Sequence, residues 1–360
     1  MLANARPIRF LGSFVTGGVS RRLARLRRPR ANSSIVLLAV FCLVGYSAAA
    51  SAQDADNSIW MDYLEGRVSS IEARSRDFEP SDPESRRQLL EMLGLDPLPP
   101  RTPLLARTTG TVERDGVVVE KIHFQSLPGL YVTANLYRPA VIEAPCPAVL
   151  YLCGHGGVKE NGVSFGNKVH YQHHGFWMAS HGFICLTIDS LQLGEIEAIH
   201  HGTYRYDRWW WLGRGYTPAG VEAWNCLRSI DYLLTRDDVD ETKLACTGRS
   251  GGGAYSWWIA SIDPRIACAA PVAGITDLRD HVVEGCVEGH CDCMYMVNTY
   301  LWDYPQVAAM VAPRPLLIVN TDRDSIFPLA GVNRTYGYLL PFYERANARI
   351  GGAIDWTGAT

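Results

Sequence analysis

Short apolar segments alternate with longer helical segments, and this alternation limits the folds open to the chain more than any other feature. Runs typical of buried strands occur at Pro147–Cys153, Phe183–Asp189, Lys243–Thr247, Ile266–Val272 and Pro315–Thr321. Helical stretches lie among and after them, at Tyr171–His181, Pro218–Thr235, Ser250–Ile262 and Leu329–Ala348. Strands that are apolar on both faces and alternate with helices predict a mostly parallel sheet with helices on both faces. An antiparallel pair, Val117–Phe124 and Leu130–Tyr137, is predicted before this unit.

The first fifty residues differ in kind from the rest. An arginine-rich run at residues 21–30 precedes the apolar segment Ile35–Tyr46, and Ala50-Ser51-Ala52 follows. This order predicts a signal peptide over residues 1–52 and export to the periplasm or the medium. About 12 apolar residues are too few to span a bilayer, which needs ~20. We therefore expect no stable membrane insertion after cleavage, an uncleaved anchor helix being the alternative.

Two further parts are predicted after the signal. Residues 53–100 are expected to form a short helical appendage with a proline-rich linker, and residues 101–360 the main domain. The 360 residues, 47% of them hydrophobic, are enough for one large core.

The strongest motif is Gly248-Arg249-Ser250-Gly251-Gly252, a G-x-S-x-G sequence. It follows a predicted strand and opens a predicted helix, which is the context of a nucleophile elbow. In such an elbow the glycines allow a sharp, strained turn that leaves the serine hydroxyl exposed at the helix N-terminus. Ser250 is therefore the predicted nucleophile, and an ordinary glycine-rich turn is the alternative.

A second glycine-rich loop, Gly154-His155-Gly156-Gly157, ends an earlier strand. Backbone N–H groups of Gly156 and Gly157 are predicted to share an oxyanion hole with the N–H of Gly251. His155 is expected to be structural, because such loops donate through the backbone. The alternative is a turn that faces solvent.

A catalytic acid is predicted in the loop after Pro315–Thr321. Asp324 lies in Asp324-Ser325-Ile326-Phe327-Pro328, which places a carboxylate on a proline-ended loop at the carboxyl edge of the sheet. Asp322 is expected to be a turn residue of the same loop. Asp277, after the preceding strand, is the alternative acid.

These motifs together resemble the α/β-hydrolases, in the branch of acetyl xylan esterases, dienelactone hydrolases and prolyl oligopeptidases. The resemblance is carried by Asp238-Val239-Asp240 leading into the elbow, and by Arg101–Leu104 with Lys121–Pro139, which looks like bacterial exported acetyl xylan esterases. It implies the α/β-hydrolase fold and hydrolysis of carboxylic esters, often on plant or algal polysaccharides, without a cofactor. Acyl-enzyme chemistry at Ser250 would follow. A serine peptidase is a weaker alternative, because no propeller-like repeats precede the domain.

The sequence departs from this family after Ala348. The order of the triad in the fold is serine, acid, histidine, and the residues 349–360 contain no histidine. The sequence therefore predicts that the last strand and helix are truncated and that activity is impaired. Three alternatives stay open: an inactive fragment of an esterase, a histidine such as His281 or His290 supplied from the 274–304 insertion, or a non-catalytic carbohydrate-binding protein.

Composition and minor motifs limit the classes of ligand and substrate that the sequence suits. Lys and Arg number 34 against 37 Asp and Glu, so the balance gives no indication of nucleic acid binding and suits a polysaccharide or a small ester. Trp209, Trp210 and Trp211 form an aromatic cluster that can stack on sugar rings or pack against the core. Cys291 and Cys293 beside His290 lack the second ligand pair of a structural zinc site, so no metal is predicted. The oligomeric state is not indicated.

Overall fold

A nine-stranded sheet forms the centre of the computed structural model, which describes residues 58–191, 193–196, 199, 206–215, 217–286 and 296–355. Its strands are β1 (Arg107–Arg114), β2 (Val117–Leu127), β3 (Leu130–Pro139), β4 (Cys146–Leu152), β7 (Ile184–Ile188), β8 (Val239–Arg249), β9 (Cys268–Val272), β10 (Leu316–Thr321) and β11 (Ile350–Asp355). The predicted signal peptide lies outside the described residues.

The order of strands in the sheet is β1-β2-β3-β7-β4-β8-β9-β10-β11. β1, β2 and β3 pair antiparallel, and β3 also pairs antiparallel with β7. The remaining six neighbours in the sheet, β7, β4, β8, β9, β10 and β11, all run parallel to one another. The prediction of a mostly parallel sheet is confirmed. Because β4, β8 and β10 run in the same direction, the loops that follow them meet at one edge of the sheet.

Helices connect the parallel strands. They are α3 (Asn167–His170), α4 (Gln172–Ser180), α5 (Pro218–Leu233), α6 (Gly251–Ile262), α7 (Tyr304–Ala309) and α8 (Leu329–Arg345). The core between sheet and helices includes Trp224 of α5, Ile259 of α6 and Leu339 of α8, all fully buried. The helix α8 continues through Pro341.

Two helices precede the sheet. Residues 58–74 are helical (α1), and α2 spans Pro83–Met92. Asp82 caps α2 by accepting a hydrogen bond from the Glu84 N–H, and Pro83 occupies the first turn, where it costs no helical hydrogen bond. Val68 of α1 and Leu89 of α2 are buried in the same core as the sheet. The segment therefore packs as part of the domain.

Three elements differ from the sequence expectation. β1 was not predicted, because its residues are almost all exposed and show no apolar alternation. A small hairpin of β5 (Val158–Glu160) and β6 (Val163–Gly166) follows the glycine loop. The final strand, expected to be truncated, is present: Ile350–Asp355 pairs in parallel with all six residues of β10. Gly351-Gly352 has low strand propensity, so pairing with β10 decides this strand.

Within the described ranges, none of the helices has both the length and the apolar character that a bilayer crossing requires.

Candidate active site

Ser250 occupies a strained turn between β8 and α6. Its backbone has φ 57° and ψ −121°, a region that side-chain-bearing residues rarely adopt. The Ser250 N–H donates to the Val272 carbonyl at 2.9 Å, which ties the turn to the neighbouring strand β9. The serine thus lies at the carboxyl edge of the sheet and immediately before the N-terminus of a twelve-residue helix. That is the geometry of a nucleophile elbow.

The glycines of the motif are required by close packing. A β-carbon on Gly248 would lie 2.3 Å from the Leu152 carbonyl oxygen, and one on Gly252 would lie 1.9 Å from the same atom. Real contacts of this kind do not occur below about 3 Å. Only glycine at both positions lets the elbow approach the end of β4.

Ser250 and Asp324 line one cleft of about 200 Å³. The other lining residues are Arg249, Ala273, Arg323, Ser325, Ile326 and Phe327. Asp324 Oδ1 accepts hydrogen bonds from the N–H groups of Ile326 and Phe327, at 2.9 and 2.8 Å. These bonds fix the carboxylate. Oδ1 therefore holds the loop, and Oδ2 makes no hydrogen bond to the described residues.

The two other candidate acids have different environments. Asp277 forms an ion pair with Arg334, with Nε–Oδ2 at 2.6 Å and Nη2–Oδ1 at 2.9 Å, and its side chain is buried. Asp322 contacts Arg323 at 3.7 Å and does not line the cleft. Of the three aspartates, Asp324 alone lines the cleft with Ser250.

The glycine-rich loop approaches the elbow through Gly154 and His155. A β-carbon on Gly154 would lie 2.5 Å from the Arg249 carbonyl oxygen and 3.4 Å from Ser250 Cβ. The His155 ring packs on Gly251, where an added β-carbon would lie 2.7 Å from its Cε1. The contact point is thus at the start of the loop.

The two glycines predicted from the sequence as loop donors are less well placed. The Gly156 N–H already donates to the Gly154 carbonyl at 3.0 Å. Gly157 is exposed, and a β-carbon added to it would meet nothing within 4 Å. The structure instead brings the His155 ring onto Gly251 and Gly154 beside Arg249 and Ser250. The sequence motif identifies the loop but not which of its residues contact the elbow.

The aromatic cluster lies on a short 3-10 helix, Trp209–Arg214. Trp210 is half exposed and packs edge-on against Trp211, with ring centroids 5.9 Å apart. Guanidinium groups contact both rings, Arg214 over Trp210 at 5.0 Å and Arg208 over Trp211 at 5.7 Å. The Trp209 side chain lies outside the described residues. Neither described tryptophan lines the cleft of Ser250.

Histidine is not among the described residues that line this cleft. His281 lies in a single π-helical turn, Arg279–Val283. The centroid of its ring is 4.7 Å from that of Tyr304. His290 lies outside the described residues. The described lining of the cleft thus contains a serine and a carboxylate but no histidine that could act as the base.

Comparisons with known proteins agree with this fold. A family model described as the prolyl oligopeptidase family matches residues 169–332, which include Ser250 and Asp324. The glucuronoyl esterase from Solibacter usitatus superposes with a TM-score of 0.56 at 14% identity, over 76% of this chain and 88% of that one. The acetyl xylan esterase from Paenibacillus sp. R4 gives 0.53 at 17% identity, over 79% and 92%. The chain has the α/β-hydrolase fold.

The chain is more similar in sequence to YtaP of Bacillus subtilis (strain 168), a protein named as a hydrolase, than to these solved structures. It is 25% identical over 270 residues, which cover 74% of this chain and 89% of YtaP. The resemblance stated from the motifs is thereby supported for most of the α/β-hydrolase domain.

A buried ion pair joins the start of α3 to the residue that follows β7. Lys168 Nζ and Asp189 Oδ2 are 2.7 Å apart, and each side chain is only 3% exposed. Asp189 also accepts hydrogen bonds from Thr133 Oγ1 at 2.6 Å and from the Glu195 N–H at 3.2 Å. Lys168 Nζ donates further to the Phe165 carbonyl at 3.0 Å. Both charges are therefore satisfied, as a buried pair requires.

Glu222 of α5 is fully buried near the same pair. Its Oε2 accepts the Leu191 N–H at 2.6 Å, while Oε1 has no hydrogen-bond partner among the described residues. Burial raises the pKa of Glu222 to about 8; the Leu191 N–H lowers it, and the charge of Asp189 raises it further. The native state therefore keeps this carboxyl protonated near neutral pH.

This burial predicts a pH-dependent stability. Between the ordinary pKa of a glutamate and about 8, the native state binds a proton that the unfolded state has lost, so stability falls as pH rises. From pH 5 to 7 the loss is roughly 2 kcal/mol. Glu222→Gln keeps the acceptor for Leu191 and removes the titration. Urea unfolding of both proteins at pH 5 and 7 should show a smaller decline for the variant; equal declines would contradict the prediction.

Proposed function

We propose that the chain is a serine carboxylesterase that hydrolyses carbohydrate-linked esters, with acetyl groups as the favoured acyl group. The observation that carries the proposal is the strained Ser250 at the carboxyl edge of the sheet, in one cleft with the fixed carboxylate of Asp324. A strained serine at a helix N-terminus is the arrangement that acyl transfer uses.

The proposed chemistry proceeds through an acyl-enzyme. Ser250 Oγ attacks the ester carbonyl, and the N–H groups of Gly251 and His155 stabilise the oxyanion. The alcohol leaves with a proton, and water then attacks the acyl-enzyme and releases the acid. Asp324 would orient and balance the charge of the base that accepts the Ser250 proton. The proposal assigns no residue to that base.

The carbohydrate part of the proposal has two supports. The solved structures that superpose include esterases whose names refer to acetyl xylan and to glucuronoyl esters. Trp210 offers a half-exposed ring on the segment between β7 and α5, and aromatic ring faces stack on sugars. Export fits such a substrate, because polysaccharides lie outside the cell. The signal-like segment at residues 1–52 motivates this part of the proposal.

The experiment that tests the proposal compares four substrates with the purified full chain. We expect release of acetate from acetylated xylan and hydrolysis of p-nitrophenyl acetate, with slower hydrolysis of a methyl glucuronate ester. A proline-containing peptide is the fourth substrate, because the matching family model is that of the prolyl oligopeptidases. Cleavage of the peptide without hydrolysis of any ester would refute the esterase proposal in favour of a peptidase.

A further inference from the structure

The orientation of one peptide bond decides how the glycine-rich loop faces the elbow. The Gly154 carbonyl accepts two hydrogen bonds, from the Gly156 N–H at 3.0 Å and from Asn167 Nδ2 at 3.0 Å. A trans peptide is planar, so the His155 N–H points opposite to the Gly154 carbonyl. A group that holds this carbonyl therefore also aims the His155 N–H.

Asn167 is itself held in a single orientation. It is fully buried, and its Oδ1 accepts the Ser190 N–H at 3.1 Å while its Nδ2 also contacts the Ser190 hydroxyl. A flipped amide would set an NH₂ group against the Ser190 N–H and an oxygen against the Gly154 carbonyl. Both contacts would be repulsive, so the amide has one stable orientation.

The neighbours of Asn167 and Ser190 keep the two segments together. Lys168 follows Asn167 and Asp189 precedes Ser190, and these two form the buried ion pair. The Lys168 N–H also donates to Asp189 Oδ1 at 2.9 Å. The start of α3 and the end of β7 are thus joined by side-chain and backbone contacts. Asn167 cannot shift without separating a buried pair, which is costly.

We propose that Asn167 is a positioning residue of the oxyanion hole, which acts through the Gly154 carbonyl to aim the His155 N–H at the acyl oxygen. The inference rests on the proposed function. Asn167 does not line the cleft of Ser250, so its effect is exerted on the loop and not on the substrate. An oxyanion donor stabilises the transition state more than it stabilises the bound ester. A His155 N–H that no longer points at the acyl oxygen therefore lowers kcat and leaves KM nearly unchanged.

Two variants and one matched control test this role. Asn167→Ala removes both contacts, whereas Asn167→Asp keeps the acceptor for Ser190 and replaces the donor to Gly154 with an oxygen. Asn298→Ala is the control, because Asn298 bridges the backbone of Trp302 in the same way, donating to its carbonyl at 2.7 Å and accepting its N–H at 2.8 Å, outside the cleft. Kinetics with p-nitrophenyl acetate are measured from pH 5 to 8, with melting temperatures and fluorophosphonate labelling of Ser250.

We expect kcat of both Asn167 variants to fall by about 10- to 100-fold at pH 8, with KM within about threefold of the wild-type value. This loss is smaller than the ~10²–10³-fold loss of kcat that follows deletion of an oxyanion donor. Asn298→Ala should keep the kcat of the wild type. For Asn167→Asp, kcat relative to the wild type should rise several-fold toward pH 5. Burial raises the pKa of a carboxyl, and the introduced group in its protonated form can donate to the Gly154 carbonyl again.

An unchanged kcat in both variants would overturn the inference, as would a loss expressed in KM alone. A pH-independent ratio for Asn167→Asp would also overturn it, and this ratio decides the matter if Asn167→Ala does not fold. Unfolding of both variants would show a structural role only and would equally refute positioning. A wild type that neither hydrolyses esters nor takes the label would instead refute the proposed function.

Discussion

Replacing Ser250 with alanine is expected to lower kcat on p-nitrophenyl acetate by about 10⁴-fold or more, because deletion of the nucleophile of a serine hydrolase removes most of its rate enhancement. Alanine keeps the β-carbon, so the strain at φ 57° and the packing of the elbow are retained. The melting temperature should therefore change little. The rate is measured with the wild type and the variant at equal concentration, and the labelled serine is identified by mass spectrometry after fluorophosphonate treatment.

A serine outside the cleft provides the control for this experiment. Ser180 ends α4, where its hydroxyl donates to the Trp177 carbonyl at 2.8 Å. Ser180→Ala should retain full activity and labelling. Equal rates for the wild type and Ser250→Ala, or a label on another serine, would remove Ser250 as the nucleophile.

Replacing Asp324 with asparagine is expected to lower kcat/KM by about 10³- to 10⁴-fold, the range found when the acid of a catalytic triad becomes an amide. Asparagine Oδ1 can still accept the N–H groups of Ile326 and Phe327, so the loop should keep its conformation. The cleft, however, loses the charge and the acceptor that would orient a protonated base. Steady-state kinetics with p-nitrophenyl acetate measure the effect.

Asp322→Asn is the matched control in the same loop. Asp322 contacts Arg323 at 3.7 Å but does not line the cleft, so its replacement should change kcat/KM by no more than a few-fold. If Asp322→Asn were the more damaging substitution, the two aspartates would have to exchange the roles proposed for them.

Much of the architecture was predictable because burial leaves a local pattern in the sequence. The predicted strand Leu130–Tyr137 agrees with β3, and the predicted helix Ser250–Ile262 agrees with α6. β1 left no such pattern, since an exposed edge strand has no apolar face to show. The truncation of the final strand was inferred from the lack of a histidine after Ala348 and not from its local pattern, and its pairing with β10 shows that the strand is present.

The residues of the candidate site likewise divide into those that the sequence could identify and those that it could not. The elbow at Ser250 could be identified from sequence, because the strained turn demands glycines at fixed spacing from the serine. The loop of Asp324 could be identified because an acid must follow a strand at the same sheet edge. What the motif could not specify is which loop residues contact the elbow, since the structure places Gly154 beside Arg249 and Ser250 and the His155 ring on Gly251.

The sequence by itself determined most of the buried elements, the elbow and the chain positions of the two loops that flank it, because each depends on residues that are neighbours along the chain. Only the tertiary structure decided that Asp324 and not Asp277 shares the cleft, and that Asn167 reaches Gly154 and Ser190. It also decided the pairing of Lys168 with Asp189. These contacts join residues on different elements, and the sheet order that brings them together has no counterpart in local periodicity.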